Sequence, residues 1–99
     1  MDKIKVYKMI SGEEIIGEVF NYFDGTVELK SPATIIMQQT EKGIGMGLMA
    51  YMPYAEGNIK LFKQSIASEG LPTTKMVNEY NRLFGSGIEI APASALAGL

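Results

Sequence analysis

Ile10-Ser11-Gly12-Glu13-Glu14-Ile15-Ile16-Gly17-Glu18-Val19-Phe20-Asn21-Tyr22-Phe23-Asp24-Gly25 is the stretch whose reading decides the fold. Gly12 sits in a turn, where a left-handed backbone is easy only for glycine. Gly17 interrupts an apolar run, and a glycine inside a strand marks a bend, a bulge or a close backbone approach. Asp24-Gly25 is a strong hairpin signal between two runs of strand-forming residues. The stretch therefore predicts consecutive strands bent tightly enough to close a small barrel.

Working outward, strand one covers Ile4 to Ile10, with Ile4, Val6, Met9 and Ile10 as its apolar contacts. Strand two runs from about Glu14 to Phe23, and strand three from Thr26 through about Gln39 with a kink at Pro32. Glu41-Lys42-Gly43-Ile44-Gly45-Met46-Gly47 looks superficially like a phosphate-cradling loop, but it lacks the Lys-Ser/Thr ending and no helix follows. It reads as a hairpin connection into a strand four that ends near Ala55-Glu56. Strand five covers Ile59 to about Ser68. The period then changes: a threonine after Pro72 caps a helix in which Met76, Val77, Tyr80, Leu83 and Phe84 recur on one face before Gly85 stops it. So short a helix is unstable alone and must dock. Ile88-Glu89-Ile90 suggests one more short strand, and Ala91 to Leu99 a tail.

The predicted fold is mostly β: a strongly bent five-stranded barrel with a C-terminal α-helix. One domain spans residues 1–99, divided into the barrel (4–69), the docked helix (73–85) and the short strand with its tail (86–99). A chain of this size buries only about 60 to 70% of its unfolded surface, which makes self-association an expectation.

Composition narrows the function. The chain has neither cysteine nor histidine, so no disulfide, no thiol nucleophile and no ordinary zinc site is expected, and no metal or other cofactor is assigned. Glu13 and Glu14 are adjacent and point to opposite faces of a strand; Asp24 and Glu28 lack a nucleophile to activate. An enzyme is not expected. The first residues carry lysines without an uninterrupted apolar stretch, and no apolar run approaches the roughly 20 residues of a membrane span. A cytoplasmic protein without a membrane partner is expected. A net charge of -2 argues against a generic nucleic-acid coat, so any contact with phosphates must be local.

The string Val6, Gly12-x4-Gly17, Val19, Phe23-Asp24 and Leu29 resembles the first motif of the Sm-like family, including its bacterial host-factor branch. Phe62-Lys63-Gln64-Ser65-Ile66-Ala67 resembles the second motif of that branch. The chain also resembles a group of small marine cyanophage proteins through Ile10 to Gly17, Tyr51-Met52-Pro53-Tyr54 and Leu83-Phe84-Gly85-Ser86-Gly87-Ile88. The Sm-like resemblance implies an SH3-like barrel whose fourth strand pairs with the fifth of the next copy, closing a homo-oligomeric ring that binds single-stranded RNA or DNA. It implies a role in phage or host nucleic-acid processing, within the host cytoplasm if the chain is phage-encoded. By position, Phe23, Asp24 and Glu28 would form one half of the nucleic-acid site, and Lys63 with Gln64 the other. Glu28 stands where the family has asparagine, and Gln64 where it has histidine or glycine. The alternative is a structural or protein-interaction module that uses the barrel without nucleic acid.

Overall fold

Ile15 and Ile16 are neighbours in sequence, and both have 0% of their surface exposed in the computed structural model, which describes residues 3–84. Consecutive strand residues point to opposite faces, so this sheet is covered on both sides. The elements are β1 (Ile4–Met9), β2 (Glu14–Phe23), β3 (Thr26–Thr40), β4 (Gly43–Ala50), β5 (Ile59–Phe62), a single 3-10 turn (Lys63–Ser65), β6 (Ile66–Gly70) and α1 (Thr74–Phe84). All pairings are antiparallel, in the order β4-β3-β2-β1-β6, with β5 paired to the first part of β3. The sheet is not closed by a continuous ladder among the described residues.

One face gathers Tyr7 and Met9 of β1, Ile15 of β2, Val27 and Leu29 of β3 and Leu61 of β5, with Ile66 of β6 packed against them. Five strands meet in this cluster, which a flat sheet could not arrange, so the sheet curls around it. The other face carries Ile4, Ile16 and Ala33, covered by Val77 and Tyr80 of α1. The helix begins as its threonine cap requires: Thr73 Oγ1 accepts the Met76 amide at 3.3 Å. Its last turn departs from the expected stripe, because Leu83 is 42% exposed while Phe84 packs against the core.

Gly17 explains how β2 and β3 come so close. A Cβ there would stand 3.1 Å from Leu29 Cδ1 and 3.3 Å from the Pro32 Cα. The pairing slips beside it, between Ile16 and Glu18, and β3 kinks at Ser31-Pro32, where Ser31 adopts a φ of 48°. Slip and kink leave the Glu18 amide and the Lys30 carbonyl near one another, and Tyr80 joins them. Its hydroxyl accepts from Glu18 N at 3.2 Å and donates to Lys30 O at 2.5 Å. Burial pushes this phenol up to about 12, against the opposing effect of the Glu18 amide.

The strand count corrects the expected five to six. The run from Ile59 to Ser68 is not one strand, because the 3-10 turn breaks it and carries the chain from the β3 edge to the β1 edge. The glycine-rich run is not a connection either: Gly43 to Gly47 forms the first part of β4, and the loop comes later, at residues 51–58. Gly85, the expected Ile88-Glu89-Ile90 strand and the tail lie outside the described residues. No helix among the described residues is long and apolar enough to cross a membrane.

Candidate nucleic-acid interface

The Asp24-Gly25 pair closes the β2–β3 hairpin, with Phe23 opposite Thr26 and Gly25 at a φ of +81° that suits glycine. The Lys63 amide donates to the Gly25 carbonyl at 2.8 Å. That bond fastens the 3-10 turn to the hairpin turn, so Phe23, Asp24, Lys63 and Gln64 gather at one end of the sheet. Glu28 lies farther along β3, opposite Lys60.

The two faces of the sheet then divide these residues. Val27 and Leu29 point inward and are buried, so Thr26 and Glu28 point outward, and their cross-strand partners Phe62 and Lys60 do the same. Phe23, opposite Thr26, joins them. The result is an outer ledge: Phe62 is 57% exposed, Phe23 is exposed, and the Lys60 ammonium lies 5.4 Å from the centre of the Phe23 ring. Asn58 Nδ2 donates to Glu28 Oε2 at 3.0 Å, which fixes that carboxylate on the ledge.

Tyr22 is opposite Val27 and so belongs to the inner face. There the Lys63 ammonium lies 6.0 Å from the centre of the Tyr22 ring. Beneath them opens a cavity of about 130 Å³ lined by Tyr7, Tyr22, Val27, Lys63, Ile66 and Glu69. The Tyr7 hydroxyl is buried in this region with no close hydrogen-bond partner, facing the Tyr22 hydroxyl and the Glu69 carboxylate. Burial raises its pKa, and the neighbouring Tyr22 hydroxyl and Glu69 carboxylate raise it further. Glu69 is in turn held by Lys5 Nζ at 3.4 Å.

The five predicted site residues thus do not share one surface. Phe23 and Glu28 belong to the outer ledge with Lys60 and Phe62, whereas the Lys63 side chain turns to Tyr22; Asp24 and Gln64 are exposed in the two turns that join the faces. Sequence reasoning passed over Tyr22, Asn58, Lys60 and Phe62 as site residues. Lys60 and Phe62 carried a signal, since they alternate with the apolar Ile59 and Leu61 and an aromatic ring falls on the polar side of that alternation. Chemically the ledge offers two aromatic faces and the Lys60 ammonium to a ligand, with the Lys63 ammonium on the other face of the same end. Among the described residues no group of three carboxylates converges. Comparison with models of known protein families and with curated proteins finds no match.

Proposed function

We propose that this chain is an Sm-like module that binds single-stranded nucleic acid, RNA in the first place, across the ledge and the two turns beside it. The observation that carries the reading is the 2.8 Å bond from the Lys63 amide to the Gly25 carbonyl, which joins the two motif turns and sets Lys60, Phe23 and Phe62 alongside. Exposed rings stack on unpaired bases whatever their sequence, and two ammonium groups attract phosphate locally on a chain that is acidic overall. A barrel reading is supported by the five strands that share one core and by the 3-10 turn between β5 and β6. In such a barrel the second motif, Phe62 to Ala67, spans the end of β5 and the start of β6, so these two strands would be the family's fourth and fifth. β4 would be an addition. Ring closure would then pair β5 of one copy with β6 of the next, each of which has one partner strand among the described residues.

Fluorescence anisotropy with labelled oligouridine and oligoadenine at low salt tests the reading. Binding should weaken in Lys63→Ala and Phe23→Ala at unchanged native mass, and tighten in Glu28→Asn, which removes a like charge from the phosphate path. Absence of binding by the wild-type protein, or binding indifferent to Lys63→Ala and Glu28→Asn, overturns it. The interaction-module reading would then stand, favoured by the apolar β3–β4 hairpin.

A further inference from the structure

The β3–β4 hairpin reaches past the helix that covers its base. Ile35 and Leu48 are cross-strand partners packed against the Val77 and Tyr80 cluster. The next pairs on the same face are Met37 with Met46 and Gln39 with Ile44. There the cover ends: Met37, Met46 and Ile44 are 68%, 53% and 72% exposed. Between Ile44 and Met46 on one side and Met76 of α1 on the other lies a groove of about 570 Å³, rimmed by Lys75 and Glu79.

The edge of β4 is equally open. Among the described residues β4 pairs with β3 alone, through eight consecutive register positions without a bulge. Native edge strands are blunted by lysine, proline, bulges or brevity, and a long, regular, uncharged edge recruits another strand. From Gly43 to Ala55 the chain carries no charged residue, and β4 itself has no proline.

We infer that the β4 edge is an interface between two copies of this chain, paired antiparallel about a two-fold axis at Met46. Self-pairing on that register sets Met46 against its own copy, Ile44 against Leu48 and Gly45 against Gly47, so apolar meets apolar and the small residues meet each other. An axis perpendicular to the sheet keeps both apolar faces on one side, which merges Met37, Ile44 and Met46 of both copies into a single surface. The uncharged edge selects a second copy as the occupant. The edge offers no charge to a charged peptide strand, and Glu79 on the groove rim is already paired with Arg82 at 2.7 Å, so what the edge presents is the apolar, self-matching register of a second copy. This interface uses neither β5 nor β6, so it is distinct from ring closure.

The absence of native cysteine makes the test direct. Directly opposed residues of an antiparallel pair have Cα atoms about 4.5 to 5.5 Å apart, inside the range of a disulfide. Met46→Cys under mild oxidation should therefore form a disulfide-linked dimer as the main product on a non-reducing gel. Thr40 ends β3 opposite Gly43, so on this register its two copies are about 25 Å apart, and Thr40→Cys should stay uncross-linked. Met46→Lys, which opposes two ammonium groups on the axis, should halve the native mass while the circular dichroism spectrum stays unchanged. A Met46→Cys variant that stays uncross-linked, together with a native mass indifferent to Met46→Lys, overturns the interface, and that is the result if residues beyond Phe84 of the same chain, or a different protein, cover the edge. A ring that persists while the Met46→Cys variant forms no disulfide overturns this inference and leaves ring closure standing.

Discussion

Two tyrosines, two hydroxyls and unequal expected outcomes make the sharpest test of the packing. Tyr80 and Tyr7 are each 1% exposed, yet the Tyr80 hydroxyl has two backbone partners and the Tyr7 hydroxyl has none. Tyr80→Phe keeps the ring between sheet and helix but removes the hydroxyl that bonds both the Glu18 amide and the Lys30 carbonyl, register partners beside the β2–β3 slip. An unsatisfied buried polar group costs about 1 to 3 kcal/mol. Glu18 is half-buried and Lys30 exposed, so water recovers part of that cost, and the sum should be about 1.5 to 3 kcal/mol. Tyr7→Phe removes a buried hydroxyl with no close partner, only the Tyr22 hydroxyl and the Glu69 carboxylate nearby, and it should change stability by less than about 1 kcal/mol. Urea unfolding followed by far-ultraviolet circular dichroism reads both. With a slope of about 1 to 2 kcal/mol per molar urea, Tyr80→Phe should lower the midpoint by about 1 M, while Tyr7→Phe leaves it nearly unchanged. Equal midpoints for the two variants would refute the claim that Tyr80 bridges the kink in the sheet.

Alkaline stability should follow the same residue: folding holds the Tyr80 phenol up near 12 against an ordinary value of 10, so the native state binds the proton more tightly. Its contribution is whole below pH 10 and falls away as the pH rises towards 12, and Tyr80→Phe should flatten the decline seen in pH-dependent urea midpoints over that window. Gly17→Ala should destabilise by about 1 to 3 kcal/mol in thermal or urea unfolding, because the backbone at Pro32, unlike a flexible side chain, cannot readily yield to the new methyl group. Phe62→Ala should leave the unfolding midpoint within about 0.5 kcal/mol of wild type, since the ring is on the surface. In anisotropy it should weaken oligouridine by about 1 to 3 kcal/mol if the ring carries one stacked base.

The parts of the fold that local chemistry imposes were legible in the sequence. Gly12 and Gly25 announced their turns, Gly17 a close approach and Pro32 a kink, and the change of period after Pro72 announced the helix. What stayed hidden depends on the rest of the molecule. Phe62 to Ile66 keeps the composition of a strand, and only the need to cross from the β3 edge to the β1 edge breaks it at Lys63 to Ser65. Gly43 to Leu48 does alternate with period two, glycine on one face and Ile44, Met46 and Leu48 on the other, but the low strand propensity of glycine disguised it as a loop. Tyr7 was hidden because β1 is buried on both faces: Ile4 and Val6 serve the helix side while Tyr7 and Met9 serve the curled side. The candidate site was half legible for a related reason. Its turns are local features, whereas the outward row of Phe23, Phe62 and Lys60 is set by cross-strand register, which no single segment encodes.

The central claim is that single-stranded nucleic acid lies across the ledge and its two turns, and photo-crosslinking locates it there or elsewhere. Oligouridine carrying 4-thiouridine would be irradiated with the intact protein at low salt, and the adducts mapped by peptide mass spectrometry. The account predicts adducts on the peptides that contain Tyr22-Phe23 and Phe62-Lys63, lost on competition with unlabelled oligouridine. Adducts confined to the β3–β4 hairpin or to α1, or none at all, would contradict it.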